Sequence, residues 1–261
     1  MSLLPNKIIV ITGASRGIGR ACALECAKHG ATGLVLHYLG DEVTEKEVQS
    51  LKEQIESTYP NAKAVAVPGD IAQRETSLKI VDEGVKAFGR LDVLVSNAGI
   101  CPFADFLTMP PETWERTRQV NLDGSFYITQ AVANQMKNQV PQGGSIIGIS
   151  SISALVGGEY QCHYTPTKAG ILSLMQSCAV ALGKYHIRTN AVLPGTIETD
   201  INKDDLSDAA KREGMVKRTA LGRLGAPDDI AGPVVFLASD LAKYVTGAQV
   251  LVDGGLFVNL Q

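Results

Sequence analysis

The chain alternates short apolar runs with longer amphipathic stretches over nearly its whole length. The apolar runs have the length of β-strands, and the stretches between them have the spacing of helices with one buried face. Strands are predicted at residues 7–12, 33–38, 63–68, 91–95, 144–149, 187–193 and 248–252. Helices are predicted within residues 16–29, 42–58, 73–88, 112–138, 162–184 and 227–238. This alternation predicts an α/β, single-domain, doubly wound Rossmann fold: a seven-stranded parallel sheet with helices on both faces.

The size and composition of the chain fit that architecture. Its 261 residues suffice for one α/β domain with a full core, so residues 1–261 are predicted to form a single domain. The net charge of −3, with lysines and arginines scattered along the chain, argues against nucleic acid as a partner. No apolar run exceeds strand length, so neither a signal peptide nor a membrane-spanning segment is expected.

The five cysteines indicate a reducing compartment. Their number is odd, which is typical of free thiols, and the cytoplasm is therefore the expected location. Cys22 and Cys26 would share one helix face, but no histidine or carboxylate cluster accompanies them. Buried thiols are therefore expected at these positions, and no metal site is predicted.

A glycine-rich turn follows the first predicted strand and favours phosphate binding. Gly13 allows the tight turn, Gly17 lets a backbone approach a pyrophosphate, and Gly19 lets the next helix pack closely on the strand. The amino terminus of that helix offers unpaired N–H groups and a positive dipole end to the phosphates. Since the spacing departs from G-x-G-x-x-G, this turn by itself is equally consistent with an ordinary loop.

A tyrosine and a lysine four residues apart point to proton-transfer chemistry. Tyr164 and Lys168 would share a helix face, because four residues make about one turn. The ammonium is expected to lower the pKa of the phenol, making it a proton acceptor near neutral pH. Ser151, at the end of a predicted strand, would hydrogen-bond the same substrate oxygen. Tyr160 has no lysine four residues on, and Ser150 would face the opposite side of the strand, so neither is preferred.

Together these motifs resemble the short-chain dehydrogenases/reductases of the form with a Thr-Gly-x-x-x-Gly-x-Gly loop. The resemblance covers essentially the whole chain, in order, through residues 12–19, 69–71, 97–99, 121, 151–168 and 194–199. It implies hydride transfer with NAD(P) and a catalytic tetrad of Asn121, Ser151, Tyr164 and Lys168. In that tetrad Tyr164 exchanges the proton, Lys168 also holds the nicotinamide ribose, Ser151 stabilises the substrate oxygen, and Asn121 supports a water near Lys168.

The same resemblance implies a set of residues that contact the cofactor. They are Gly13, Ser15, Arg16, Gly17, Ile18, Gly19, Tyr38, Asp70, Ile71, Asn97, Ala98, Gly99, Tyr164, Lys168, Pro194, Gly195, Ile197 and Thr199. Among them Asp70 approaches the adenine, and residues 194–199 close over the nicotinamide.

The choice between NAD and NADP stays open. NAD users commonly carry an acidic residue at the end of the second strand, to bind the ribose 2′-hydroxyl. That position falls on His37 or Tyr38, and neither is acidic. Arg16 would suit the 2′-phosphate of NADP, whereas Asp41 and Glu42 would repel it.

A closer resemblance concerns the substrate. Residues 145–158, 163–176 and 251–261 are similar to those of fungal members of the family that oxidise L-rhamnose at its anomeric hydroxyl. The resemblance implies a small-molecule sugar substrate, contacted by Ser151, Ser153, Gln161, Tyr164 and Thr196, with Glu159 facing the same pocket. His163 would either bond a sugar hydroxyl or be satisfied by backbone or solvent.

Two other functions are compatible with these motifs. A ketone or β-ketoacyl reductase of the same family would use the same tetrad in the reducing direction. A non-catalytic, cofactor-binding regulator would be expected to lack the tyrosine or the lysine, and both are present here.

The sequence also predicts a lid and an oligomer. Residues 200–220, polar and charge-laced, occupy the position of a substrate lid in this family. The predicted helices 112–138 and 162–184 have broad apolar faces through which relatives pair. A homodimer or homotetramer is therefore expected.

Overall fold

The computed structural model describes residues 2–203 and 205–259, and within them seven strands form one sheet. Every strand pair is parallel, in the order β3-β2-β1-β4-β5-β6-β7. The strands are β1 Ile8–Ile11, β2 Gly33–Tyr38, β3 Lys63–Pro68, β4 Val93–Ser96, β5 Gly144–Ile149, β6 Ile187–Pro194 and β7 Gln249–Val252. The predicted strands are thus confirmed to within two residues.

The helices also follow the predicted pattern, with one helix added at Ala209–Arg218 and two other differences. They are α1 Gly17–Lys28, α2 Glu42–Thr58, α3 Arg74–Phe88, α4 Pro111–Arg118, α5 Gly124–Asn138, α6 Thr165–Leu182, α7 Ala209–Arg218 and α8 Pro227–Ala238. The single helix predicted over 112–138 is wrong, because the π-helical turn Gln119–Asp123 separates α4 from α5. The helix predicted from residue 162 begins at Thr165, so Tyr164 is its N-cap.

Helices cover both faces of the sheet. On one face Ile9 and Ile11 pack with buried residues of α1, α2 and α8, and on the other Ile8 and Val10 pack with those of α3, α5 and α6. Burial on both faces explains why these strands are unbroken apolar runs rather than alternating ones. The predicted doubly wound fold is confirmed.

The topology places the functional loops at one edge. Because all strands run parallel, the segments after them meet at the carboxyl edge of the sheet. The strand order reverses between β1 and β4, and ligands of such sheets bind in the crevice at this switch point. The glycine-rich turn follows β1 and residues 97–99 follow β4, so the two motifs are neighbours in space.

Two further observations concern the described residues as a whole. None of their helices is both long and apolar enough to cross a membrane. Cys22 and Cys26 are buried free thiols. Burial raises the pKa of Cys22, and it raises the pKa of Cys26 to about 12.

Candidate active site

The glycine-rich turn is built so tightly that two of its glycines have no room for a side chain. A Cβ added at Gly19 would lie 2.1 Å from the carbonyl oxygen of Gly13, and one added at Gly13 would lie 3.0 Å from Cα of Ala98. Gly13 and Gly17 also adopt φ angles of 63° and 55°, which favour glycine. The turn therefore presents bare backbone at the switch point.

Hydrogen bonds join this turn to the segment after β4. The Thr12 hydroxyl accepts from the backbone N–H groups of Asn97 and Ala98, at 2.9 and 3.0 Å. The Asn97 carboxamide donates to the carbonyl oxygens of Thr12 and Gly13, at 2.9 and 3.1 Å. The two motifs thus form one hydrogen-bonded unit.

The start of α1 has the donor groups that a dinucleotide pyrophosphate requires. Helix α1 begins at Gly17, and the side chain of its N-cap, Arg16, does not cap it. N–H groups of a first helical turn bind phosphates well, and the dipole favours negative charge there. Ser15 is buried and Ile18 is half-buried beside this helix start. The residues present therefore fit a dinucleotide cofactor.

The segment after β3 contains an ion pair that sequence reasoning missed. Arg116 of α4 donates to Asp70 Oδ2 at 2.7 Å, and the N–H of Ala72 donates to Asp70 Oδ1 at 3.1 Å. Ile71 is buried, and its carbonyl oxygen would be 3.0 Å from a Cβ at Gly124 of α5. Arg116 lies 46 residues from Asp70 along the chain, so no local pattern indicates the pair.

The residues at the end of β2 are the ones expected to bind the ribose 2′-hydroxyl or 2′-phosphate of the cofactor. The ring of His37 is buried with both nitrogens hydrogen-bonded, so it is not available to a ribose hydroxyl. Tyr38, the last residue of β2, is also buried. Asp41 caps α2, because its Oδ1 accepts from the N–H groups of Val43 and Thr44 at 3.0 and 2.9 Å.

Arg16 forms ion pairs with two carboxylates from different parts of the chain. Its Nη1 lies 3.3 Å from Oδ2 of Asp200 and 3.6 Å from Oε1 of Glu47, in α2. The Arg16 side chain is 51% exposed, so these pairs are partly screened by solvent. The positive charge predicted for this position is present, and it is already balanced by carboxylates.

Three of the four tetrad residues meet where β5 ends and α6 begins. Lys168 Nζ lies 5.5 Å from the centre of the Tyr164 ring and donates to the carbonyl oxygen of Ile149 at 2.9 Å. Ser151 is buried just after β5, and a hydrogen bond between its side chain and Tyr164 lowers the pKa of that tyrosine. The predicted cluster is therefore brought together.

The electrostatics of this cluster differ from the expectation. Burial raises the pKa of Tyr164, the nearby Cys101 raises it further, and the Ser151 hydroxyl acts in the opposite direction. Burial also lowers the pKa of Lys168 to about 8. The expected lowering of the Tyr164 pKa is therefore not found, because desolvation dominates and the Lys168 ammonium donates to a backbone carbonyl.

Asn121, the fourth tetrad residue, lies in the π-helical turn and is fully buried. Its Oδ1 accepts from the N–H of Ile100 at 2.8 Å, and its Nδ2 donates to Ile100 O at 2.9 Å and to Thr167 Oγ1 at 3.2 Å. A Cβ at Gly99 would lie 3.3 Å from Asn121 Oδ1 and 3.6 Å from Lys168 Nζ. Asn121 thus fixes the backbone next to the lysine, and π-helical turns recur at functional sites.

Ser150 and Tyr160, the alternatives to Ser151 and Tyr164, are placed differently from those two residues. The Ser150 hydroxyl donates to the carbonyl oxygen of Lys168 at 2.7 Å, where it anchors α6 to β5. The side chain of Tyr160 is exposed in the loop before α6.

The segment after β6 closes over the glycine-rich turn. A Cβ at Gly17 would lie 3.5 Å from Cγ2 of Thr199, and Ile197 pairs with Gly225 in an isolated bridge. Gly195 approaches Asp253 so closely that a Cβ would lie 2.7 Å from that side chain. Pro194, the last residue of β6, leads into this segment.

The residues expected to contact substrate make contacts with different partners. The N–H of Ser153 donates to Ser151 Oγ at 3.1 Å, and Gln161 Nε2 donates to Cys101 Sγ at 3.4 Å. Thr196 Oγ1 lies 3.9 Å from Met215 Sδ, while Glu159 is exposed. Sequence reasoning missed Cys101, whose burial raises its pKa to about 11.

His163 is fully buried, although it precedes Tyr164 directly. Neither ring nitrogen has a hydrogen bond of good geometry with the described residues, although the carbonyl of Pro102 is near enough to favour the protonated ring. Burial lowers the pKa of His163, so the ring is neutral at pH 7. The ring is closed off from solvent and faces the backbone carbonyl of Pro102, which favours the backbone alternative over a bond to a sugar hydroxyl.

The fold and this cluster define a class of protein, and comparison with known proteins agrees. A family model described as enoyl-(acyl carrier protein) reductase, of the short-chain dehydrogenase type, matches residues 13–257. The chain belongs to the short-chain dehydrogenase/reductase family.

Particular relatives are much more similar than the family as a whole. The chain is 60% identical to L-rhamnose 1-dehydrogenase (NAD(P)(+)) of Azotobacter vinelandii, over 99% of this chain and 100% of the relative. It is 56% identical to L-rhamnose-1-dehydrogenase of the yeast Scheffersomyces stipitis, over 99% of each. Among solved structures, a gluconate 5-dehydrogenase from Burkholderia cenocepacia in complex with NADP and tartrate is 32% identical, with a TM-score of 0.90, over 98% of this chain and 96% of that one.

Proposed function

We propose that this protein is an NAD(P)-dependent dehydrogenase that oxidises the anomeric hydroxyl of L-rhamnose to L-rhamnonolactone. The observation that carries the proposal is the 60% identity, over the full length, to a relative named for that activity. The cluster of Ser151, Tyr164 and Lys168 is of the kind that alcohol oxidation requires.

When bound, NAD(P) would supply the hydride acceptor, and the chain supplies the proton chemistry and the orientation. Tyr164 takes the proton of the anomeric hydroxyl while the hydride leaves the same carbon, so that the C–O bond becomes the lactone carbonyl. Ser151 hydrogen-bonds the reacting oxygen and stabilises the charge that develops there. Lys168 places a positive charge beside Tyr164, and Asn121 holds the backbone at Gly99 and Ile100.

Because the pKa of Tyr164 is raised, the rates of oxidation and of reduction are expected to depend differently on pH. The protonated phenol, favoured by burial, is the form that donates a proton in the reducing direction. Oxidation needs the phenolate instead, so it is favoured as the pH rises, up to the pKa of about 8 at which Lys168 loses its charge.

Three polar side chains are proposed to orient the sugar around the reacting carbon, because hydroxyl discrimination requires paired buried polar groups. They are Ser153, Gln161 and Thr196. The contact between Gln161 and Cys101 supports this role, since it links the loop before α6 to the loop after β4.

Residues 200–220 are proposed to cover the substrate, although Asp204 lies outside the described residues. Helix α7 has no buried residue, and it is joined to its surroundings by ion pairs of Lys211 with Asp205 and of Arg212 with Glu198. A segment anchored mainly by surface ion pairs is weakly held, which suits a lid.

The homodimer or homotetramer expected from the sequence stays a prediction.

Arg16 is proposed to bind the 2′-phosphate of NADP, in competition with Glu47 and Asp200. Arg16→Ala is expected to weaken NADP+ binding by roughly tenfold and to change NAD+ binding little, because one charge-assisted hydrogen bond is lost. Glu47→Gln is the matched variant and is expected to tighten NADP+ binding, since it removes a competing carboxylate. Both dissociation constants are measured by titration calorimetry. Equal losses for NAD+ and NADP+ in Arg16→Ala would contradict this role.

The function itself is tested by absorbance at 340 nm with NAD+ and, separately, NADP+, at about pH 7 and about pH 8. The substrates are L-rhamnose, L-lyxose, L-mannose, D-glucose, D-galactose and simple secondary alcohols. Turnover confined to L-rhamnose and its close stereochemical relatives, faster at the higher pH, is the expected result. No turnover of any sugar, together with NADPH-dependent reduction of ketones or β-ketoacyl thioesters, would show that the protein is the reductase of the alternative function. Absence of turnover with every substrate would favour the non-catalytic regulator.

A further inference from the structure

His37 is a polar residue in a strand that is otherwise apolar, and its side chain connects the loops on either side of that strand. Strand β2 lies between β1 and β3 in the sheet. The N–H of Gly13, just after β1, donates to His37 Nδ1 at 3.2 Å. His37 Nε2 bonds the carbonyl oxygen of Gly69, just after β3, at 2.9 Å. One ring thus bridges two segments at the carboxyl edge of the sheet.

The two hydrogen bonds require one particular form of the ring. Nδ1 accepts a hydrogen bond from a backbone amide, so it carries no hydrogen of its own, and Nε2 must then donate to the carbonyl of Gly69. Burial lowers the pKa of His37 to about 4, against the opposing effects of the Gly69 carbonyl and the Asp70 carboxylate. The ring is therefore neutral at physiological pH, as both bonds demand.

The bridged segments are the ones to which dinucleotide binding is assigned. Gly13 is the first residue of the glycine-rich turn, and Gly69 directly precedes Asp70 in the sequence. The N–H of Ala14 also donates to the backbone carbonyl of His37, at 2.8 Å, which fastens the turn to β2 a second time. Since the Gly13 N–H is engaged by the ring, the phosphate donors must come from the start of α1. His37 therefore acts on the position of the cleft walls and not on the phosphate itself.

We infer that His37 is a positioning residue for the dinucleotide, one that sets the separation of the glycine-rich turn and the Gly69-Asp70 segment. This inference rests on the proposed function, because it assumes that the cleft binds NAD(P). It assigns to this position a role that differs from the ribose contact made by an acidic residue at the end of β2. It also predicts equal effects on NAD+ and NADP+, in contrast to Arg16.

Three substitutions separate the two hydrogen bonds. In His37→Asn the side-chain oxygen can take the place of Nδ1 and keep the bond from Gly13. In His37→Gln the longer carboxamide can take the place of Nε2 and keep the bond to Gly69. His37→Phe preserves the ring and removes both bonds. His29→Gln is the control, because this histidine lies at the end of α1 and contacts Glu25 instead.

Dissociation constants for NAD+ and NADP+, measured by titration calorimetry without substrate, are the primary readout. His37→Phe is expected to raise both by about tenfold or more, with smaller increases for the other two variants, because each hydrogen bond contributes modestly to binding. At saturating cofactor, kcat and the KM for sugar are expected to stay within about twofold of the parent values.

The outcomes separate the inference from the function on which it rests. Failure of the parent protein to bind either dinucleotide would overturn the proposed function. Parent-like affinity in His37→Phe, whatever its melting temperature, would overturn the positioning role and leave a purely structural one. If His37→Phe does not fold, parent-like affinity in both His37→Asn and His37→Gln would overturn it as well.

Discussion

Tyr164→Phe is expected to lower kcat by a factor of roughly 10² to 10⁴, the range that a positioned acid or base contributes. The variant loses only the phenolic oxygen, which is the group proposed to take the proton of the sugar hydroxyl. Its ring keeps its place at the start of α6, so the melting temperature and the affinity for NAD(P)+ should stay close to those of the parent. Initial rates at 340 nm and calorimetric titration measure the two quantities.

Tyr160→Phe is the matched control for this result. Tyr160 lies four residues earlier, in the same loop, and its side chain is exposed. Its loss of a hydroxyl should leave kcat unchanged. Substantial turnover by Tyr164→Phe would rule out the tyrosine as the base, whereas loss of activity in both variants would indicate a general effect on the loop.

Gly19→Ala is expected to damage both the fold and cofactor binding. The added Cβ would lie 2.1 Å from the Gly13 carbonyl oxygen and 2.8 Å from Nδ2 of Asn97. Such a contact with backbone cannot be relieved by a side-chain rotation, so the turn itself must move. Overpacking of this kind costs about 1–3 kcal/mol, and we expect a fall in melting temperature of roughly 5 °C. The dissociation constant for NAD(P)+ should rise by about tenfold or more.

Gly232→Ala provides the comparison for this variant. Gly232 also lies inside a helix, α8, but a Cβ there would meet nothing within 4 Å. Alanine is the better helix former, by about 1 kcal/mol, so this variant should be as stable as the parent or more so. Thermal unfolding and calorimetric titration are applied to both. Parent-like binding and stability in Gly19→Ala would show that the turn is less constrained than its contacts indicate.

The sequence predicted those features that depend on neighbours along the chain. The apolar runs predicted strands such as β1 and β4 because strands buried on both faces must be continuously apolar. The spacing of Tyr164 and Lys168 predicted their proximity, because one helical turn separates them. The glycines of the turn were recognisable because only glycine tolerates the close approach between Gly19 and Gly13.

The helix across residues 112–138 shows the limit of such local reasoning. Its amphipathic pattern is continuous, yet a π-helical turn interrupts it at residues 119–123. Within that turn, Asn121 bonds to Ile100 and Thr167, which are distant in sequence. Helical periodicity carries no information about such partners.

The sequence by itself determined the order of the strands and the family, and it supplied the residues proposed for the catalytic cluster, because each is carried by local periodicity or by a short motif. The tertiary structure alone decided the electrostatic state of that cluster. Burial raises the pKa of Tyr164 although a lysine is adjacent, since desolvation depends on everything packed around the phenol. The hydrogen bonds of His37 and the ion pair of Arg16 with Asp200 also depend on the tertiary structure, because these contacts join segments that only the folded sheet brings together.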